Sequence, residues 1–370
     1  MRKPNTIVLT TRPNLDQAFW EQYTHLWQHS MGRSPFQSPH VLEYYTRRAG
    51  NTVAVFQYML QGEWVAAAFF KRENGVYTFL SDYKTDHNFF VLHHRCNETD
   101  IRNIFDHFLA EVKKKKWALM LNHQPGWAPY MDHFNAAGKA SGLYWQNIKY
   151  SVCPIAQDET PEALFKRING SRELRYRVNK LKNQENAEFE VLTDGAEIDQ
   201  WADEFCQSHV LRWDNTSTPS AYRDPARRQF LKDCLHAWNA DGILRRFSVK
   251  VSSGRVGFVV GLLEENSLVH HSTTFHPDYW KYSPGKALIH FMVEWMVKQN
   301  LRVLDFGDGD EPYKYTVADQ EHALHRIFIS NPLNLPFILK TQAIKVVRDN
   351  PKIYDFYRDK IKRLTQRVQI

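Results

Sequence analysis

The segment from His276 to Ala287 contains the residue types and spacing best suited to chemistry. Ser283 can cap a helix, and Pro284 can occupy the first turn of the apolar-striped stretch that follows. A helix N-terminus presents unpaired N–H groups and the positive end of the helix dipole, which together suit a phosphate. Gly285 allows a ligand to approach the backbone, and Lys286 adds a positive charge. The segment therefore predicts a turn that binds a pyrophosphate.

The elements around this turn are predicted from apolar periodicity and turn signals. Three strands precede the turn, the helix that it starts carries one apolar stripe, and a further strand follows. The predicted ranges are Ile243–Val251, Val256–Leu263, Ser267–Phe275, the helix Pro284–Gln299 and the strand Arg302–Phe306.

The first half of the chain repeats this order of elements with little identity of sequence. After a helix, three strands joined by tight turns form a meander, and a helix and a strand follow. The predicted ranges are the helix Leu15–Gln28, the strands Thr52–Leu60, Glu63–Lys71 and Val76–Leu80, the helix Thr99–Lys115 and the strand Trp117–Leu121.

Helices join the two halves, and the sequence carries no low-complexity linker. They are expected from Thr160-Pro161 to Gly170, where Ser171 can cap the next, and over Arg172–Gln184, Ala196–Val210 and Pro225–Ala240. The fold class is therefore α/β, of the α+β kind: tandem domains that meet along a shared face, each a mixed, mostly antiparallel sheet flanked by helices. We expect domains at 1–155 and 156–335 and a basic helical tail at 336–370.

Composition and charge narrow the classes of function. The 370 residues are 43% hydrophobic and carry a formal charge of +7, which favours polyanionic partners. The four cysteines form no C-x-x-C pair, so we expect no metal and a reducing cytoplasm. No apolar run is long enough to cross a bilayer, and no secretory signal is recognisable. Motifs of serine hydrolases, zinc proteases and P-loop enzymes are absent from the sequence.

Residues Pro277 through Ala287 resemble the acetyl-CoA motif of the GNAT acetyltransferases. Gly285 and Ala287 match the last two anchor positions of that motif, whereas Tyr282 stands where those enzymes usually carry Gln or Arg. Together with Gly309–Lys314, the turn is similar to one branch, the GNAT proteins of the cellulose-biosynthesis CelD/BcsL type, relatives of the FemAB aminoacyl transferases. Looser patches of the same branch are Phe36–Pro39, Ser81–Tyr83, Arg172–Arg175 and Arg212-Trp213.

The resemblance implies roles for particular residues. Acyl-CoA, with acetyl-CoA expected, would lie on Tyr282, Ser283, Gly285, Lys286 and Ala287. The base would be His270 or His271, and strand alternation is expected to point only one of them at the cleft. The candidate acids and bases after the following strand are Asp310, Glu311 and Tyr313, and the candidate substrate-binding residues are Arg175, Arg212, Trp213, Asp308 and Lys314. The first half lacks a glycine turn between Leu80 and Thr99, so it is expected to bind the second substrate instead of a cofactor.

Three functions follow from these expectations. The leading one is transfer of an acyl group from acyl-CoA to an amine or hydroxyl of a cell-envelope sugar or a related small acceptor. The second is a FemAB-like transferase that takes an aminoacyl group from tRNA, with the basic stretch Lys166–Lys182 as the tRNA surface. The third is a binding or assembly module that has lost catalysis, against which the intact Gly285 and the acidic cluster argue.

The segment from Pro336 onward is basic and striped with apolar residues, which predicts amphipathic helices with a break at Asn350-Pro351. One interpretation is that these helices pack on the core of the protein and that their charged side chains stay in water. The other attaches them to an anionic membrane surface, so that a cytoplasmic protein is held peripherally at the inner face of the membrane.

Overall fold

The computed structural model describes residues 6–11, 13–82, 84–214, 216 and 219–350. Tyr83 and the tail residues 351–370, on which some of the sequence-based expectations rest, lie outside the described residues. The first half contains, in chain order, β1 (Thr6–Thr11), α1 (Gln17–Gln28), α2 (Pro39–Ala49), β2 (Val53–Leu60), β3 (Glu63–Glu73), β4 (Val76–Phe79), β5 (Val91–Leu92), α3 (Glu98–Lys114), β6 (Ala118–Pro125), α4 (Met131–Ala140) and β7 (Tyr144–Gln157).

The second half repeats the order of meander, helix and strand behind a set of connecting helices. Its elements are α5 (Pro161–Gly170), α6 (Arg172–Glu185), β8 (Glu188–Leu192), α7 (Ile198–Trp213), α8 (Pro225–Ala240), β9 (Leu244–Val251), β10 (Gly254–Glu264), β11 (Ser267–Phe275), α9 (Pro284–Lys298), β12 (Val303–Asp305), β13 (Gln320–Ser330) and α10 (Leu335–Asp349). No described helix is both long and apolar enough to span a bilayer.

The helix starts lie where the sequence places cap residues. The Thr160 hydroxyl accepts the N–H of Ala163, and Pro161 fills the first turn of α5. The Ser171 hydroxyl accepts the N–H of Leu174 and so begins α6. A capped start satisfies donors that have no partner inside the helix, which is why the two consecutive helices divide here.

One mixed sheet runs through the molecule in the order β1-β2-β3-β4-β6-β13-β7-β12-β11-β10-β9-β8, with β5 beside β3. Among the described strands, only the pairs β4–β6 and β11–β12 are parallel, which confirms the predicted mixed, mostly antiparallel character of the sheet. β13 lies between β6 and β7, so a strand from late in the chain completes the sheet of the first half. The predicted boundary at residue 155 falls within β7, and the division into domains stays a prediction.

A shared apolar core joins the two halves. Helix α1 contributes Tyr23 and Trp27, α7 contributes Trp201, and α8 contributes Leu235 and Trp238, all buried in one cluster. Burial of a large apolar side chain contributes about 1.5–3 kcal/mol. The helices of the first half and the connecting helices of the second half are therefore held as one packed layer.

Candidate active site

The strands β11 and β12 separate after a short parallel contact. They pair only from Ser267 opposite Val303 to Val269 opposite Asp305. Beyond that point β11 continues to Phe275 without β12 beside it, so its edge presents unpaired N–H and C=O groups to the gap. Such an edge can hydrogen-bond an extended ligand.

This gap opens into a cleft of about 300 Å³ that both halves line. The loop between β4 and β5 enters it from the first half, and β11 and the turn after β12 border it from the second. The lining residues are Lys84, Thr85, Asp86, His270, His271, Ser272, Thr273, Phe306, Asp308, Glu311, Tyr313 and Lys314.

A carboxylate from the first half orients His271. Nδ1 of His271 lies 2.7 Å from Oδ2 of Asp86, and both side chains are largely buried. Oδ1 of Asp86 also accepts the N–H of Asp308 at 3.1 Å. Because an ionised carboxylate can only accept, Nδ1 of His271 donates, and its Nε2 carries no proton while the ring is neutral. That nitrogen can act as a base.

His270 has a different environment. Its ring is buried, 5.5 Å from that of Phe306 and 6.2 Å from that of Tyr313. Burial lowers the pKa of His270 to about 4, so the ring is neutral at physiological pH. The pairing of β10 with β11 skips His271 at a β-bulge, so the strict alternation of the strand ends there. Both histidines contribute to the lining of the cleft, but His270 is only 2% exposed, and the expectation that one of them faces the cleft stays a prediction.

The acidic turn after β12 divides into a structural part and a part that faces the cleft. Nζ of Lys314 donates to the carbonyl oxygens of Asp308 and Gly309 and pairs with Glu311, so this buried lysine holds the turn together. Burial opposes ionisation of Asp308, but hydrogen bonds from His123 and Ser151 and the charge of Lys314 outweigh it and lower its pKa. Asp310 is exposed and does not line the cleft.

Tyr313 lines the cleft, and Arg212 of α7 lies near it without lining the cleft itself. Burial and the nearby carboxylates of Glu311 and Asp86 raise the pKa of Tyr313 well above its usual value, so the phenol keeps its proton. The guanidinium of Arg212 stacks 4.2 Å above the ring of Phe275, and its charge opposes that rise. A neutral phenol beside a cation can donate a hydrogen bond to a developing anion.

The other candidate substrate-binding residues are farther away. Trp213 stacks on His209, with ring centroids 6.0 Å apart. Arg175 is exposed on α6 and does not line the cleft.

The turn before α9 has fewer free amides than its sequence suggests. Ser283 takes a left-handed conformation at φ 52°, and its side chain makes no cap hydrogen bond. The N–H groups of Ser283, Lys286 and Ala287 all reach backbone carbonyls, and Pro284 has none. Within the described part of the chain, the N–H of Gly285 has no partner, and a Cβ added there would meet only Thr273, at 3.9 Å.

Side chains from α6 surround this turn. Arg177 and Lys180 both donate to the carbonyl of Lys281, and the Lys180 ammonium lies 5.1 Å from the ring of Tyr282. Nζ of Lys286 pairs with Glu173 at 2.7 Å, so it does not extend freely toward a ligand. The turn is thus open at Gly285 and lies beside a basic helix.

Sequence reasoning missed the residues that the first half supplies. Asp86 and Lys84 stand in a polar stretch, Ser81–Asn88, between apolar runs, and this stretch was the only signal available. Nζ of Lys84 lies 2.6 Å from the hydroxyl of Tyr222, and burial lowers the pKa of Lys84 although Asp82 and Asp86 oppose the shift. Burial, together with the charges of Lys84 and Arg212, also lowers the pKa of His209 to about 4.

A wider and shallower cavity of about 930 Å³ lies in the first half, between α4 and the neighbouring strands. It contains none of the residues predicted for the site and lies away from the gap between β11 and β12. Its lining includes Asp132, Asn135, Lys139, Trp145, Lys149 and His325.

Residues 169–315 match the family model described as an acetyltransferase (GNAT) domain. This part of the chain is therefore similar to a GNAT domain. The matched range contains β11, α9 and β12, and hence the gap, the turn and most of the cleft. No curated protein matches the chain in sequence.

Three solved structures resemble nearly the whole chain. L-PGS from Bacillus licheniformis is 13% identical with a TM-score of 0.58, over 87% of this chain and 96% of that one. FemX is 11% identical with a TM-score of 0.59, over 86% and 96% of the two chains. The C-terminal domain of a putative lysylphosphatidylglycerol synthetase from Agrobacterium fabrum is 11% identical with a TM-score of 0.57, over 88% and 95%. At these identities the likeness concerns the fold alone.

Proposed function

We propose that the chain is an acyltransferase, which moves an acyl group from acyl-CoA to an amine or hydroxyl of a cell-envelope sugar or a related small acceptor. The observation that carries this proposal is the gap between β11 and β12, which opens on an oriented histidine and a protonated tyrosine. The likeness of the turn and the acidic cluster to the CelD/BcsL branch supports the choice of acceptor.

The chemistry needs a base, a proton donor and a held carbonyl. The lone pair of the acceptor amine or hydroxyl attacks the acyl carbonyl, while Nε2 of His271 takes the proton from the acceptor. Asp86 stabilises the resulting imidazolium through Nδ1. The carbon–sulfur bond breaks as the tetrahedral intermediate collapses. The departing thiolate accepts a hydrogen bond from the Tyr313 hydroxyl and takes up the proton that His271 removed from the acceptor, so that both side chains return to their starting states. The free edge of β11 can hold the extended arm of the carrier.

The position of the carrier phosphates follows from the turn. Helix α9 is 15 residues long, and the positive end of its dipole lies together with the unpartnered N–H of Gly285 at its N-terminus. Arg177 and Lys180 lie beside the same turn and add positive charge. These features support acyl-CoA, with acetyl-CoA as the first donor to test.

An aminoacyl-tRNA is the second candidate donor, and the small number of free amides at the turn is a reason to test it. Three N–H groups of the turn are already bonded, and Pro284 has none, so few amides remain for a pyrophosphate. Helix α6 exposes Arg172, Arg175 and Lys182, which could contact a nucleic-acid backbone. The proteins named FemX and lysylphosphatidylglycerol synthetase share the fold of nearly the whole chain.

Calorimetry with two donors tests both proposals. Acetyl-CoA and a charged tRNA are titrated into the wild type, into Gly285→Asp and into the control Gly170→Asp, which adds the same charge at an open position of α5. We expect acetyl-CoA to bind the wild type and the control and to lose its binding to Gly285→Asp, because the new carboxylate repels the phosphates. Equal binding to all three proteins would place the site elsewhere. Binding of tRNA without acetyl-CoA would select the second donor.

We also propose that α10 attaches the protein to an anionic membrane surface. The helix buries Phe337 and Thr341 but leaves Leu335, Leu339 and Val346 between 59% and 70% exposed on one stripe. Neighbouring Lys340 and Lys345 suit anionic headgroups. Sedimentation with phosphatidylglycerol vesicles at low salt should retain the wild type and release a Leu335→Asp, Leu339→Asp double variant. Equal behaviour of both proteins would contradict the membrane role.

A further inference from the structure

Three side chains of metal-ligand type meet in the interior behind the cleft. His87 comes from the loop between β4 and β5, Cys153 from β7 and Asp305 from the end of β12. They are 0%, 0% and 3% exposed. Their candidate ligand atoms all lie within 4.8 Å of one another. Elements distant in sequence therefore place an imidazole, a thiol and a carboxylate around one point.

Two of the three separations match those around a tetrahedral zinc ion. Zinc bonds of about 2.0–2.3 Å to nitrogen, oxygen and sulfur place neighbouring ligand atoms about 3.3–3.6 Å apart. Nε2 of His87 lies 3.4 Å from Oδ2 of Asp305 and 3.6 Å from Sγ of Cys153. The third separation, 2.9 Å from Sγ to Oδ1 of Asp305, is that of a hydrogen bond from the thiol. Loss of the thiol proton on metal binding would lengthen it.

The arrangement does not suit a nucleophilic cysteine. In such a site a carboxylate orients the imidazole through one nitrogen while the other nitrogen contacts the thiol. Here Cys153 and Asp305 approach the same Nε2 of His87. Nδ1 of His87 is buried and has no hydrogen-bond partner within the described residues. Cys153 is also enclosed and cannot reach a substrate in the cleft.

We propose that His87, Cys153 and Asp305 bind a zinc ion that ties the loop of the first half to the second half. A thiolate, a carboxylate and a neutral imidazole balance the charge of Zn²⁺, and a neutral assembly can stay buried at low cost. A fourth ligand, such as a water, would complete the tetrahedral shell. This site is separate from the proposed transfer chemistry and departs from the expectation of a protein without metal.

The site would fix the geometry of the cleft. Asp86 precedes His87 directly and orients His271, so a metal on His87 restrains the loop that carries Asp86. The N–H of Gly307 donates to Oδ1 of Asp305 at 2.6 Å and secures the other side of the site. The ion would thus position residues of the cleft without contacting the substrate.

Metal analysis of the full-length protein tests the proposal. Zinc is measured by plasma mass spectrometry in the wild type, in Cys153→Ser and in the control Cys206→Ser, which alters another buried free cysteine. We expect about one zinc ion per chain in the wild type and the control, and a strong loss in Cys153→Ser. Equal zinc in all three proteins, or almost none in the wild type, would overturn the proposal.

Cobalt replacement keeps the test decisive if Cys153→Ser does not fold. Wild-type protein is stripped with a chelator and titrated with Co²⁺. A site with a thiolate ligand gives a charge-transfer band in the near ultraviolet and intense visible bands typical of tetrahedral Co²⁺. Saturation at about one Co²⁺ per chain with these bands is the expected result. A weak octahedral spectrum without the thiolate band would refute the assignment.

Discussion

Replacement of Gly307 by alanine should reveal how tightly the two halves meet at the cleft. Gly307 has φ +65°, and a Cβ added there would lie 2.6 Å from Cγ of Asp86, closer than real contacts allow. The neighbouring atoms belong to a carboxylate that two hydrogen bonds hold in place. The side chain of Asp86 can therefore yield only by breaking its contacts with His271 and Asp308.

The expected cost has two parts. A left-handed conformation costs a residue other than glycine about 1–2 kcal/mol. Overpacking against Asp86 adds about 1–3 kcal/mol. The free energy of unfolding of Gly307→Ala should therefore fall by about 2–5 kcal/mol.

Gly32→Ala is the matched control. Gly32 has φ +62°, and a Cβ added there would meet nothing within 4 Å. Gly32→Ala should lower the free energy of unfolding only by the cost of the left-handed backbone conformation, about 1–2 kcal/mol. Urea unfolding measures both variants, with an unchanged m-value as the condition for comparison.

Removal of the Asp86 side chain should cancel the overpacking part of the cost of Gly307→Ala. In an Asp86→Ala background, Gly307→Ala should cost no more than Gly32→Ala does in the wild type. Equal destabilisation by the two glycine variants in the wild-type background would refute the close contact between Asp86 and the turn after β12.

Two further predictions concern the histidines. The folded chain keeps His270 neutral down to about pH 4, whereas an unfolded histidine binds its proton near pH 6.5. The unfolded chain thus binds more protons between these values, and the free energy of unfolding should fall as the pH drops through this window, by up to about 1.4 kcal/mol per pH unit. In urea titrations, the free energy of unfolding should depend less steeply on pH in His270→Asn than in the wild type, and as steeply as in the wild type in the control His107→Asn, which alters an exposed histidine. The same pH dependence in both variants would contradict the burial of His270. Asp86→Asn removes a charge-assisted hydrogen bond worth about 1.5–3 kcal/mol, so kcat for acyl transfer should fall about 10- to 100-fold with little change in the KM of the donor. Asp199→Asn, which alters the exposed pair with His236, is its control, and an equal kcat in the two variants would remove Asp86 from the mechanism.

Local patterns predicted most of the regular elements. The predicted strand Thr52–Leu60 is found as Val53–Leu60, and the predicted helix Thr99–Lys115 as Glu98–Lys114. Periodicity and turn residues act over a few positions, so they locate elements without knowledge of the fold. The start of α9 at Pro284 was also predicted at its observed place, because its signals are equally local, whereas the predicted cap by Ser283 is not formed and phosphate binding stays a prediction.

Contacts between distant residues could not be predicted in this way. β13 inserts between β6 and β7 through pairings that no local pattern encodes. Asp86 meets His271 across 185 positions of sequence, and the bulge beside the two histidines depends on the register of β10. Cys153 also lies in β7, a central strand that the sequence reading did not identify. The fold class thus followed from the sequence, whereas half of the cleft did not.

Hydrogen exchange with a bound donor tests most directly whether one site lies between β11 and β12 and is built by both halves. Acetyl-CoA and a charged tRNA are each added at saturation, and amide exchange is followed along the chain. We predict that a bound donor slows amide exchange in peptides from both halves, covering 84–90, 268–287 and 303–314. Slower exchange confined to 131–149, beside the wider cavity of the first half, would contradict it.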